Sequence, residues 1–255
     1  MPAEPAAAPA LVQWGSLALR LAAMLVYLPL PGWKTLPAAA RVLFALALAA
    51  VLWIAAPPEA LLPVEAGPML PVLGADLLTG VAIGLIVLLV SEAFSFCGQV
   101  ISVQAGFSYA STIDPFSETD SGLLPSLFSL ATSLLLFYSP LYAELVRALA
   151  ASAYRPPHPA VVRAPEFLRI LTGFSAHCLQ VGLKLALPVI ALLFLSDLCI
   201  GLFGRLQPQL QLLTVSFSLK LMAAMAAVAA LLPALRWLHQ KLAVEAVHVL
   251  RLVIR

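Results

Sequence analysis

Apolar residues arrive in long blocks along this chain, not in the short alternations of a water-facing domain. The first block runs from about Leu11 to Leu30, is interrupted by Arg20, and stops at Pro29, Pro31 and Gly32. A second runs from Arg41 to Ala56 and ends at Pro57-Pro58. Each is near the roughly 20 residues that a helix needs to cross a hydrocarbon core. Gly74 to Ile113 follows, with Asp76 and Glu92 its only charges. That length allows two crossings, or one crossing and a re-entrant hairpin. Leu123 to Ala143 is one clean run, and two more lie at about Ser175 to Phe203 and Leu210 to Leu235. The pattern predicts an all-α polytopic membrane protein of helical hairpins with broken or re-entrant helices. It divides the chain into a Pro/Ala-rich disordered lead-in at 1–10, a single helical membrane domain at 11–235, and a basic amphipathic helix at 236–255.

Composition sharpens this picture. Of 255 residues, 62% are apolar and 10% charged, against roughly 45–50% and 25% in soluble domains. Too little polar surface remains to coat a water-facing sphere, so the apolar surface faces lipid or partner subunits. Fourteen basic residues against twelve acidic ones make no basic field, which excludes a nucleic-acid binder. Cys97, Cys178 and Cys199 all lie inside apolar runs, where cysteine acts as a small hydrophobe; no disulfide scaffold is implied. The first ten residues lack the basic and apolar regions of a signal peptide. Trp14, Trp33, Trp53 and Trp237 fall near span ends and suit interfacial belts.

Basic residues between spans favour the cytoplasm. Lys34 and Arg41 therefore put the first turn inside and the N-terminus outside, and Glu59 and Glu65 suit an outer loop. If Gly74 to Ile113 goes in and back out, the acidic Asp114–Asp120 segment is outside. The loop with Arg147, Arg155, Arg163 and Arg169, and the basic tail, are then both inside. This layout, N-terminus out and C-terminus in, demands a sharp reversal near Ser91 to Gly98.

No enzyme constellation is present: the chain has no H-E-x-x-H, no phosphate-binding G-x-x-x-x-G-K-[ST] and no G-x-S-x-G elbow. His158, His177, His239 and His248 are scattered, and His177-Cys178 alone is short of the ligands a metal needs. The expectation is therefore no catalysis, no cofactor and no metal. What stands out is polarity inside apolar runs: Arg20, Glu92, Gln99, Gln104, Lys184, Asp197 and Lys220. Such residues face a bundle interior, a cavity or one another. Asp197 and Lys220 are the favoured pair, and Lys184 with Asp197 the competing one. Gly80 and Gly84 form a G-x-x-x-G that lets helix backbones approach closely. Two functional classes fit these features, a subunit of a translocation channel and a stand-alone secondary transporter that uses the intramembrane charges at broken helices. The second predicts internal repeat symmetry, and none is convincing between the halves.

The stretch from Asp76 through Gly80 and Gly84, then Gly98-Gln-Val-Ile-Ser-Val-Gln104-Ala-Gly106-Phe-Ser-Tyr-Ala110 to Asp114-Pro115, resembles the FliR family. That family comprises flagellar export-gate proteins and their injectisome relatives, the SctT group. Leu185 to Pro188, Asp197, Gly201, Arg205 and Pro208-Gln209 through Lys220 resemble its terminal signature in order and spacing. Arg20, Pro29, Lys34 and Arg41 fit the early pattern. The chain departs from it at Asp76, where the family usually has Glu, and at Gln211, Ser216 and Ser218, where it usually has Asn, Gly and Pro. A Gly-His pair common in flagellar members is missing near Phe137–Ala143.

The resemblance implies a non-catalytic inner-membrane subunit of a type III export gate, assembled with FliP-like and FliQ-like subunits and an FlhB-like one, and passing unfolded proteins. It also implies that Gln104, Gly106, Phe107, Tyr109, Ile113, Asp114, Pro115 and Phe116 form a pore plug. Gly106 and Pro115 suit such a loop by their backbone preferences, and Phe107, Tyr109, Ile113 and Phe116 supply apolar bulk for a constriction. Arg20, Asp76, Gly80, Gly84, Asp197, Arg205, Gln209 and Lys220 are the expected intramembrane charge and packing residues.

Overall fold

The computed structural model describes residues 7–55, 69–107, 122–152, 164–206 and 212–254. Among them every regular element is helical: α1 (Ala7–Tyr27), a 3-10 turn at Trp33–Thr35, α2 (Ala38–Ala55), α3 (Met69–Ala105), α4 (Leu123–Tyr138), α5 (Pro140–Ser152), α6 (Ala164–Leu206) and α7 (Leu212–Ile254). Four of these, α2, α3, α6 and α7, are long and apolar enough to cross a membrane, and α4 with α5 forms a bent fifth candidate. This is an all-α polytopic membrane fold. Helices are the economical solution here, because each backbone N–H and C=O is satisfied within its own segment.

Several boundaries differ from those expected. α1 begins at Ala7, so Ala7 to Ala10 of the expected lead-in are helical. The reversal expected between Ser91 and Gly98 is absent. α3 is one continuous helix of 37 residues, about 55 Å long at 1.5 Å per residue. It contains no proline beyond Pro71, in its first turn, and the one glycine between Ser91 and Gly98, Gly98 itself, costs too little to break it. The C-terminus-in half of the expected layout drew on that reversal, whereas the N-terminus-out half rests on Lys34 and Arg41. The break lies instead in the run Leu123 to Ala143, where the chain bends by 66° at Ser139. Pro140 has no N–H to continue α4. The Ser139 hydroxyl accepts the Leu141 N–H at 3.2 Å, so Ser139 caps α5 with proline at its first position. Residues 236–254 are no separate helix but the continuation of α7. Arg147 and Arg169, expected in a loop, lie on α5 and α6.

The chain forms two compact units. The first comprises 1–90, 136–175 and 243–255. Its core includes Leu17, Ala18, Leu21 and Ala49, with Trp14, Leu46, Leu48, Leu52 and Leu149 packed around them. Gly32, at a φ of 72°, turns the chain between α1 and α2, and Trp33 is buried edge-on against Phe44, 5.5 Å between ring centres. Trp33 is thus a packing residue and not part of an interfacial belt. In the same unit Glu144 receives both Arg147 at 3.1 Å and Arg251 at 2.5 Å, which ties the C-terminal end of α7 to α5.

The second unit comprises 91–135 and 176–242. Phe94, Cys97, Ile101, Leu124, Phe128, Leu193 and Ala224 are fully buried there. Two glycines bring its helices close. A Cβ at Gly98 would stand 3.0 Å from the Leu124 carbonyl oxygen, and one at Gly182 would overlap the Ala93 carbonyl. Trp237 is exposed and carries the Lys241 ammonium 3.7 Å from its ring centre.

Candidate functional site

Two polar constellations are built into these units, one in each. In the first unit, Asp76, Gly80 and Gly84 repeat every four residues and therefore line one stripe of α3. α1 presents Arg20 and Met24 with the same spacing. A Cβ at Gly80 would overlap the Arg20 carbonyl and stand 3.0 Å from the Ala23 methyl. One at Gly84 would stand 2.7 Å from the Met24 carbonyl oxygen. Only glycine at both positions allows this approach. It delivers the Arg20 guanidinium to Asp76: Nε donates to Oδ1 at 3.1 Å, and Nη2 donates to the same oxygen. The side chains are 7% and 2% exposed, so the pair is shielded from both water and lipid. A short glycine face thus makes room for one buried ion pair.

The second constellation lies at the C-terminal end of α3 in the second unit. The Gly106 N–H donates to the Val103 carbonyl at 3.2 Å and the Phe107 N–H to the Ser102 carbonyl at 3.0 Å, with Gly106 at a φ of 88°. This pair of bonds is the Schellman termination, and it requires the left-handed conformation that glycine adopts without strain. Just before it, Gln104 Nε2 donates to Asp197 Oδ2 on α6 at 3.4 Å. Lys220 Nζ, from α7, lies 2.9 Å from each oxygen of the same carboxylate. Asp197 therefore collects the end of α3 and the start of α7 on one residue of α6. It pairs with Lys220, not with Lys184.

Of the expected plug residues, Gln104, Gly106 and Phe107 occupy this α3 terminus, and Phe107 is half-buried. Tyr109, Ile113, Asp114, Pro115 and Phe116 lie outside the described residues, as does Gln209. Arg205 is exposed in the last turn of α6, where a cation complements the helix dipole. Reasoning from the sequence missed the union of Arg20 with Asp76, although their shared four-residue spacing with Met24 and Gly80 carried the signal. His239, one of the four scattered histidines, is fully buried 5.7 Å from the Phe94 ring, with neither ring nitrogen hydrogen-bonded. Among the described residues no three His, Cys, Asp or Glu side chains converge as a metal site requires.

The profile of the family described as "Bacterial export proteins, family 1" matches residues 11–245. Three relatives are each named flagellar biosynthetic protein FliR. The one from Bacillus subtilis is 32% identical over 212 residues, covering 80% of this chain and 79% of its own. The one from Caulobacter vibrioides is 28% identical over 204 residues, covering 77% and 79%. The one from Escherichia coli is 28% identical over 158 residues, covering 62% of this chain; the chain spans 60% of that relative's length. The match to the family takes in both constellations, from Arg20 to Lys220, and the chain belongs to the bacterial export proteins, family 1.

Proposed function

We propose that this chain is a non-catalytic subunit of the type III protein export gate in the bacterial inner membrane. In this reading it contributes to the channel and its plug, for secretion of flagellar proteins. The observation that carries the proposal is the family match over residues 11–245. The shared name of the three relatives favours the flagellar over the injectisome branch. FliP-like and FliQ-like subunits, and an FlhB-like one, are the partners this reading requires. They would cover part of the apolar side-chain surface that α2, α4 and α6 leave exposed, including Ile54, Leu134 and Leu202.

In mechanism, the α3 terminus is the root of the plug, which would comprise Gln104, Gly106, Phe107, Tyr109, Ile113, Asp114, Pro115 and Phe116. The Gly106 termination sets where the chain leaves α3. The Gln104–Asp197–Lys220 contacts hold that point against α6 and α7. Beyond it, apolar side chains would exclude water and ions until an unfolded substrate displaces them. The energy for movement comes from elsewhere, since the chain has no nucleotide-binding loop.

The test is membrane permeability in cells that assemble the gate. Replacing Phe107 and Tyr109 together by Ala, or deleting 109–114, should let ions and small solutes leak through an otherwise assembled complex. An assembled complex with unchanged permeability refutes the plug role. Native mass measurement of the chain co-expressed with FliP-like and FliQ-like subunits tests the wider reading. One copy among several of theirs supports it, and a homo-oligomer indifferent to both refutes it.

A further inference from the structure

In the second unit, α3 divides sharply into two faces. Ala93, Phe94, Cys97, Gly98, Ile101, Ser102 and Ala105 are buried on one side. Glu92, Phe96, Gln99 and Val103, spaced at four, three and four residues, form a single exposed stripe on the other. This stripe carries a carboxylate and an amide within a membrane-length helix. Apolar side chains flank Glu92 along α3, and a carboxylate set among them is costly against lipid.

Three other carboxylates of these helices meet a cation: Asp76 meets Arg20, Asp197 meets Lys220, and Glu144 meets Arg147 and Arg251. Glu166 instead stands in the first turn of α6, where a carboxylate complements the helix N-terminus; Glu92 is in mid-helix and has no such compensation. Glu92 has no cation within ion-pairing distance among the described residues. Interleaved with it, Phe96 and Val103 are 36% and 58% exposed and gain from being covered rather than wetted. Lipid would suit Phe96 and Val103 but not Glu92 and Gln99, whereas an aqueous wall would suit the polar pair alone. A protein helix with one cation suits all four.

We propose that the Glu92–Phe96–Gln99–Val103 stripe is a docking surface for a transmembrane helix of a neighbouring subunit, one that brings a lysine or arginine to Glu92. The cation supplies the ion pair that no described residue of this chain provides. Gln99 hydrogen-bonds across the contact, and Phe96 and Val103 pack against apolar side chains. This rests on the export-gate reading, which supplies the neighbouring membrane subunits.

The experiment uses the full chain co-expressed with the FliP-like and FliQ-like subunits of the same organism and purified in mild detergent. Glu92→Lys should lower the recovered neighbour at least tenfold, and the isosteric Glu92→Gln about threefold. Changing one intramembrane lysine or arginine of the neighbour to Glu should restore assembly to Glu92→Lys alone. In parallel, p-benzoylphenylalanine in place of Phe96 should cross-link, in intact membranes, to that same neighbour. Wild-type yield from Glu92→Lys, or adducts at position 96 with lipid or exported protein alone, overturns the docking surface. A wild-type chain that recovers neither subunit overturns the export-gate reading instead. In that case the cross-link at position 96 still decides the stripe: a membrane helix with a basic residue supports it, and lipid alone sinks it.

Discussion

The Arg20–Asp76 pair makes the most quantitative demand. Both side chains are almost wholly shielded, at 7% and 2% exposure, and the guanidinium donates twice to one carboxylate oxygen. Asp76→Ala leaves a buried guanidinium without its counter-charge, which costs about 3–5 kcal/mol. At the lower end that is on the order of a 100-fold rise in the unfolded population. Asp76→Asn keeps an acceptor oxygen in place while removing the charge, and should cost less, about 2 kcal/mol. Replacing both partners with apolar side chains, Arg20→Met with Asp76→Leu, removes both the attraction and the need for it. The double variant should lie within about 1 kcal/mol of wild type.

Unfolding by SDS titration in mixed micelles, followed by helical circular dichroism, measures these variants, together with the single Arg20→Met and Asp76→Leu, against wild type. The decisive quantity is the coupling between the two sites in a double-mutant cycle. Independent, additive losses would show that the charges are solvated separately and that their closeness carries no energy. An Asp76→Ala loss below about 1 kcal/mol would show that the pair is not shielded, since only surface pairs are worth so little.

Three further outcomes follow from the close contacts. Gly80→Leu should push α1 away from α3 and cost about 1–3 kcal/mol by overpacking, whereas Gly173→Ala, which meets nothing within 4 Å on α6, should stabilise its helix by about 0.5–1 kcal/mol; the same SDS titration separates them. Asp197→Ala and Lys220→Ala should each lower gate assembly, with the charge-swapped double variant recovering part of it. The direct energetic loss is only about 1 kcal/mol, because the Asp197 side chain is 41% exposed; recovery of intact complex measures it. Gly106→Val forces a β-branched residue to a φ of 88° and should cost roughly 1–2 kcal/mol, with a rise in protease cleavage after α3 as its readout.

Proline and capping chemistry were legible where they were read, and the helix boundaries turned on them. The expected reversal between Ser91 and Gly98 came from balancing loop charges, a rule about whole segments that says nothing of local backbone. No residue there interrupts the hydrogen-bond ladder, so α3 runs through. The actual bend was written as Ser139-Pro140, a cap followed by a residue with no N–H, inside a stretch whose hydropathy gave no sign of it. Hydropathy averages over side chains; the bend depends on one missing donor.

The sequence by itself determined the membrane class, the helical fold and the family, because these follow from apolar length, backbone satisfaction and residue order. It also named Arg20, Asp76, Asp197 and Lys220 as charges set within apolar runs, though not Glu144. Only the tertiary structure decided which of them meet. Arg20 and Asp76 are 56 positions apart, and their union depends on the phase at which two helices face each other and on how closely glycine lets them approach. Asp197 had two cations within plausible reach, and the packing of α7 on α6 chose Lys220. A one-dimensional pattern lists the charges that must be compensated. The partner of each is settled by distance and helical phase, and these arise only when the helices pack.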